Sequence, residues 1–300
     1  MVRVDPRTRG RYLREMATLH ASDTPFLVDA RSLAAALAAA PDVRPLVIDA
    51  RKPADYAAGH IPGAVSLSTY ECFVRSTSPE DLATFAADMA RLYAAAGVTA
   101  DRPIVVCEDA TGMRAARELW ILEFLGHRRV RLLDGGLGAW KASGGAGSTA
   151  ASVPVAATFA PAPDLAMAIG LDEIAAAAGA SPHGGGLLLV DTRARKEFDG
   201  TGGHDCCPWQ GRIPGAIHLE WSDLVDPVEG CFRTGPDIAA RLAAAAGTAI
   251  GPERTLVPYC HRGARSAVVT CALRLAGFTG VRNFIGSWHE WSHRFPAPGR

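Results

Sequence analysis

One stretch of the 300-residue sequence brings a nucleophile and two cations into a single turn: Tyr259-Cys260-His261-Arg262-Gly263-Ala264-Arg265-Ser266. A short apolar run at 255–259 leads into it and an amphipathic segment at 266–276 leads out, so Cys260 falls on a strand-to-helix turn. The N–H groups of such a turn, and the N-terminus of the helix after it, collect partial positive charge around the sulfur. Arg262 and Arg265 add two full charges. This matters because only the thiolate attacks: a thiol of pKa ~8.5 is roughly 3% ionised at pH 7, whereas one lowered to ~6.5 is roughly 75% ionised. Gly263 lets the loop curl without steric cost. Cys260 is therefore the candidate nucleophile, with His261, Gly263, Ala264 and Ser266 as its loop. His261 could tune the thiolate or donate a proton; a solvent-facing loop histidine is the plainer alternative.

The other cysteines read differently. Seven of them (72, 107, 206, 207, 231, 260 and 271), with no C-x-x-C spacing, argue against a disulfide framework or a zinc ribbon. Most are expected to be small buried hydrophobes, Cys271 among them. Cys206-Cys207, beside His204 and Asp205, reads as an exposed, oxidisable pair. Adjacent cysteines have poor geometry for one tetrahedral metal and no second ligand pair is evident, so no metal site is expected. The run Gly184-Gly185-Gly186 precedes a strand but opens no helix, which argues against a phosphate-binding loop.

The elements that must position Cys260 occur twice. Leu46-Val47-Ile48-Asp49-Ala50-Arg51 returns as Leu188-Leu189-Val190-Asp191-Thr192-Arg193, 142 residues on (Asp49 to Asp191). Gly59-His60-Ile61-Pro62-Gly63-Ala64 returns as Gly211-Arg212-Ile213-Pro214-Gly215-Ala216, 152 residues on (Gly63 to Gly215). Glu123-Phe124-Leu125-Gly126-His127, Gly135 and Trp140 match Arg274-Leu275-Ala276-Gly277-Phe278, Gly286 and Trp291, 151 residues on. Such ordered self-similarity means two homologous domains, with an insertion near 200–210 in the second.

At the 151-residue offset, Asp109 takes the place of Cys260. Buried parallel strands are expected at Leu46–Asp49, Ile104–Cys107, 187–190 and 255–259, and helices at 82–96, 113–125, 237–246 and 266–276. Ser32 and Ser266 are plausible helix starts, and Gly97, Gly126, Gly247 and Gly277 plausible stops. Trp140, Trp288 and Trp291 should pack the last helix of each copy onto its sheet. Strand–helix alternation predicts an α/β fold, a parallel sheet covered on both faces, with ligands at the carboxyl ends of the strands. Residues 1–141 and 164–300 form the domains; 142–163, rich in Ala, Gly, Ser, Thr and Pro, is the linker.

Composition narrows the partners. Lys+Arg and Asp+Glu balance at 31 each, so no overall basic field favours nucleic acid or an anionic membrane. The longest apolar stretches, 33–40 and 242–250, are far below spanning length. The polar N-terminus lacks the apolar core of a secretory signal, and a cytoplasmic location is expected.

The runs LVIDAR, GHIPGA and LDGGLGAW, repeated as LLLVDTR, GRIPGA and CHRGARS with GSWHEW, resemble the tandem-domain sulfurtransferases of the rhodanese family over roughly residues 25 to 295. The resemblance implies two rhodanese-like domains, each a small parallel sheet flanked by helices. The C-terminal one would be catalytic and the N-terminal one would have lost its cysteine, as Asp109 suggests. It implies a ping-pong reaction without cofactor: Cys260 takes the outer sulfur of a small anionic donor such as thiosulfate. The resulting persulfide passes its sulfur to cyanide, a thiol or a protein acceptor. It further implies that Arg193 holds the donor, unless Asp191 claims it as a salt bridge. Arg262 lies two places after the cysteine, where thiosulfate-preferring members carry a cation; mercaptopyruvate-preferring members typically show Cys-Gly-Ser-Gly-Val-Thr. Arg265 either binds donor or orients the loop. Glu197 departs from members with a second donor-binding arginine there. Family precedent suggests a monomer.

The alternatives are a 3-mercaptopyruvate sulfurtransferase, a persulfide relay to a partner protein, and a cysteine phosphatase or arsenate reductase. The last needs five residues between cysteine and arginine; Cys260 and Arg265 have four between them.

Overall fold

The computed structural model describes residues 26–41, 43–180 and 186–297. The N-terminal segment and Gly184-Gly185, read above for a signal and a phosphate loop, lie outside them. Leu46–Asp49 (β2) and Ile104–Cys107 (β4) are buried at every residue, as a strand covered on both faces requires. They pair in parallel at the centre of the first sheet, flanked by β1 (Leu27–Val28), β3 (Val65–Ser66) and β5 (Val130–Leu133) in the order β1-β5-β4-β2-β3. In the second domain Leu188–Asp191 (β6), Ile217–His218 (β7) and Leu256–Tyr259 (β8) form the order β7-β6-β8. Single parallel bridges, Leu256 to Val281 and Ala168 to Asn283, continue that sheet where β5 and β1 continue the first.

Local chemistry sets the helix limits. The first domain holds α1 (Ala30–Ala38), α2 (Pro53–Ala58), α3 (Pro79–Ala95) and α4 (Met113–Phe124) between its strands and α5 (Gly136–Ala142) after the last of them. In the second domain come α6 (Leu171–Ala177), α7 (Arg195–Phe198), α8 (Gly235–Ala246), α9 (Ala264–Leu275) and α10 (Ser287–Arg294). Helix α3 starts earlier than its apolar period indicates because Ser78 caps it, accepting the Asp81 N–H, and Pro79 fits the first turn. Thr234 does the same for α8. Ser32 and Ser266 are not caps: Asp29 caps α1 by accepting the Ser32 N–H, and Gly263 precedes α9. The four stop glycines, 97, 126, 247 and 277, all have φ between +68° and +91°, a conformation that ends a helix cheaply only at glycine.

Trp140, Trp288 and Trp291 are buried as expected. The domains meet through their equivalent helices α4 and α9, and Arg274 clamps Glu123 across that seam at 2.5 and 3.0 Å. The linker is docked rather than loose, since Ala157 and Ala162 donate N–H bonds to Ala94 and Leu125 and Phe159 is buried. No helix among the described residues is long and apolar enough to cross a membrane.

Candidate active site

Strand β8 delivers Cys260 to the end of the sheet, 1% exposed. The Gly263 N–H donates to its sulfur at 3.0 Å. Only glycine suits that position: φ is +86°, and a Cβ there would meet Ile285 Cγ1 at 2.8 Å and its carbonyl oxygen at 3.0 Å. The loop is held from beneath by α10. Cys260 N–H donates to Ser287 Oγ at 3.1 Å, while the Trp288 and His289 N–H groups reach the carbonyls of Cys260 and His261 at 2.9 and 3.1 Å. Ser287 adopts φ +58° to do so, backbone strain of the kind that collects at functional sites.

Burial is the largest influence on the Cys260 thiol and pushes its pKa up. The Arg265 charge, the Ser266 N–H and hydroxyl, and the Arg262 N–H together outweigh it, so the pKa lies below the usual thiol value. The buried Ser266 hydroxyl has no partner of hydrogen-bonding geometry among the described residues.

The arginines divide their work. Arg265 is gripped by Glu197 at 2.5 and 2.9 Å, so the acid that departs from the family pattern fixes the loop's nearest cation. Arg262 has no carboxylate partner among the described residues; it lies 4.6 Å from the Phe73 ring centre and faces the cleft above Cys260. Arg193 pairs with Asp191. It is 1% exposed and bonds Asp191 through Nε at 2.9 Å and Nη2 at 2.6 Å. Nη2 also reaches the Gly211 carbonyl at 2.6 Å, and the guanidinium lies 4.6 Å from the Trp288 ring. Asp191, two residues earlier at the end of β6, claims it, and it does not line the cleft. His261, stacked on His204 at 3.7 Å, is pushed down to about 3 by burial and then by His204 and the neighbouring arginines. It adds no charge to the loop near neutral pH.

The cleft holds about 590 Å³, and both domains wall it. Lys196, Trp221 and Arg262 come from the second domain; Tyr70, Phe73 and Met113 come from the first, and the sequence alone gave no sign of these three. A larger cavity of about 820 Å³, around Thr77, Arg282 and Glu290, contains no part of the Cys260 loop. Arg117 of α4 was also missed. It is 1% exposed, donates through Nη1 to the Arg262 carbonyl at 3.1 Å, and bonds the Cys72 carbonyl. Its one sequence signal is an Arg-Glu pair set between the apolar Ala115-Ala116 and Leu119-Trp120.

A profile of the Rhodanese-like domain matches residues 19–143 and again 175–294. The chain belongs to the rhodanese family. A thiosulfate sulfurtransferase of Corynebacterium glutamicum is 34% identical over 255 residues, 81% of this chain and 80% of its own. A probable 3-mercaptopyruvate sulfurtransferase of Pseudomonas aeruginosa is 35% identical over 206 residues, 68% of this chain and 70% of its own. The solved structure of SseA from Escherichia coli, described among 3-mercaptopyruvate sulfotransferases, superposes with a TM-score of 0.68 at 25% identity, over 88% of this chain and 99% of its own.

Strand pairing corrects the match between the two rhodanese domains. Asp49 pairs with Cys107 and Asp191 with Tyr259, so the residue in the position of Cys260 is Glu108, and Asp109 corresponds to His261. The helices start after Gly112 and Gly263, which makes the first loop one residue longer. A fixed offset taken from the helices hides that insertion. Arg51 repeats the placement of Arg193, bonding Asp49 at 2.7 Å and the Gly59 carbonyl at 2.7 Å, and its Nη1 reaches Asp109 at 3.1 Å.

Proposed function

We propose that this rhodanese is a thiosulfate sulfurtransferase working through a Cys260 persulfide. The observation that carries this is a buried sulfur, receiving an N–H at 3.0 Å, at a cleft where Arg262 and Lys196 are open to a small dianion. The Cys260 thiolate attacks the outer sulfur of thiosulfate. The new S–S bond forms as the old one breaks, its electron pair leaving with sulfite, and the enzyme keeps a persulfide anion. The Gly263 N–H and the charges of Arg265 and Arg262 stabilise that anion as donors stabilise an oxyanion. Cyanide or a thiolate then takes the outer sulfur and returns the Cys260 thiolate.

Arg262 and Lys196 are the donor-binding cations in this reading. Arg265 sets the sulfur's charge, and Arg193 orders the strand end. The first domain supplies wall and brace and no nucleophile, a role supported by Glu108 standing where the cysteine would be and by burial that pushes the Cys107 thiol well up. The C. glutamicum relative, named for thiosulfate, supports the donor; the P. aeruginosa relative keeps mercaptopyruvate as the comparison to run.

The test is intact and peptide mass spectrometry after exposure to thiosulfate, followed by cyanide. One added sulfur on Cys260, discharged as thiocyanate, is expected, with kcat/KM higher for thiosulfate than for 3-mercaptopyruvate. Absence of the adduct overturns the mechanism; a reversed ratio overturns the donor.

A further inference from the structure

The insertion that distinguishes the second domain ends against the active-site loop. Cys206 Sγ lies 3.4 Å from His261 Nε2, and the ligand atoms of Cys206, Cys207 and His261 all fall within 4.8 Å of one another. We propose that these three side chains bind a thiophilic d10 cation, Cu(I) or Zn(II), on the rim of the Cys260 cleft. The sequence alone spoke against a metal because adjacent cysteines have poor geometry for one tetrahedral ion and no second ligand pair was evident; the fold brings in His261 from the active-site loop, with all three ligand atoms within 4.8 Å of one another.

Metal–sulfur bonds of about 2.3 Å and metal–nitrogen bonds of about 2.0 Å put ligand atoms roughly 3.5–4 Å apart in trigonal or tetrahedral geometry. The atoms here need to shift only slightly to meet that spacing. The backbone already holds them. Cys207 N–H donates to the His204 carbonyl at 3.0 Å and Gln210 Nε2 to the same carbonyl at 2.9 Å, closing the turn that points both sulfurs one way. His261 is braced by the His204 ring stacked on it and by the His289 N–H on its carbonyl.

Two thiolates and an imidazole are a soft donor set, which suits Cu(I) and Zn(II) and disfavours Mg²⁺ and Ca²⁺. Arg262 Nη2, 3.8 Å from Cys206 Sγ, offsets the negative charge that two thiolates bring to one cation. Cys207 is buried and Cys206 exposed, so a cation has one anchored sulfur, one accessible sulfur and a solvent side for entry. Cys260 is not a member of the set.

The test uses full-length, reduced Cys260→Ser protein, which removes the competing nucleophile and makes the outcome independent of persulfide chemistry. Zn(II) and Cu(I) are each titrated against a chromophoric chelator, and Co(II) serves as a spectroscopic stand-in. The expected result is one equivalent of Zn(II) or Cu(I) held, with thiolate-to-cobalt charge-transfer absorption. Adding Cys206→Ser or His261→Gln should each weaken binding at least about 10-fold, since even outer-shell losses cost that much. Failure of the Cys260→Ser protein to hold either cation overturns the proposal, as does undiminished affinity in either double variant.

Discussion

At the end of β4 the first domain places Glu108, whose Oε1 accepts the Ala115 N–H at 2.9 Å; at the end of β8 the second places Cys260, whose sulfur accepts the Gly263 N–H at 3.0 Å. Both groups sit at the positive end of a helix, yet they respond in opposite directions. Burial raises Glu108 to about 7, the Ala115 and Arg114 N–H groups only partly countering it. Cys260, the more deeply buried of the two, is nevertheless brought down because Arg265 stands beside it. In the first domain the carboxyl fills the cradle, and Asp109 takes the spare nitrogen of Arg51. In the second the cleft stays open and keeps Arg262 and Lys196 at its wall. The fold thus provides N–H donors in both halves. Reactivity depends on which side chain meets them and on a full positive charge close enough to overcome burial.

The sharpest break in this comparison is removal of the sulfur. Cys260→Ser should lower thiocyanate formation by on the order of 10³-fold or more, while Cys107→Ser leaves it largely intact. Loss of turnover in folded Cys107→Ser protein would place the chemistry in the wrong half. Next come the paired arginines. Arg51→Ala and Arg193→Ala each strand a buried aspartate, so urea denaturation should show losses of about 3–5 kcal/mol in both. A raised KM for thiosulfate in Arg193→Ala alone would return donor binding to Arg193. An unchanged KM confines it to the structural role it shares with Arg51.

Glu108 gives a pH test. Its pKa is raised on folding, from 4.5 to about 7, so its stabilising contribution is complete below pH 4.5 and is lost as pH rises through 7. Relative to Glu108→Gln, the wild-type protein should lose up to about 3 kcal/mol of stability across that window. Parallel stability–pH curves would show that the carboxyl is not held protonated. Arg265→Gln acts on the other half with a smaller effect. Alkylation of Cys260 rises with pH as the thiolate forms and then levels off. Without Arg265 the inflection should move up by about one unit, costing about 10-fold in rate at pH values below the inflection, with partial recovery in Arg265→Lys. An unmoved inflection would mean the backbone donors alone hold the thiolate.

How much of this the sequence disclosed follows from how far apart the interacting residues lie. The central strands and the helix stops were legible because burial on both faces and left-handed glycines leave marks within a few residues. The Cys260 loop was legible because its nucleophile, cations and glycine are contiguous. The role of Asp109 was misassigned since a single extra loop residue shifts the strand and helix registers against each other. Glu197 read only as a departure until Arg265 was found in its grip. Arg117, Phe73 and the approach of Cys206 to His261 depend on chain crossings that no local pattern records.

Arg117 is the smallest expected effect and the one that asks why the first domain, without the proposed nucleophile, is built into the site. Its guanidinium fork spans the Arg262 and Cys72 carbonyls, tying the Cys260 loop of one domain to a loop of the other. Lysine keeps the charge but cannot bond both carbonyls in the same fixed fork. In Arg117→Lys the Cys260 loop should remain folded yet be less well positioned, lowering kcat by up to about 10-fold. The alkylation inflection should stay where it is, because Arg265 and the Gly263 N–H remain in place. A fall in stability alone, with kcat unchanged, would reduce Arg117 to a buried strut. A lowered kcat with an unmoved inflection assigns the first domain the job of aiming a nucleophile it does not itself contain.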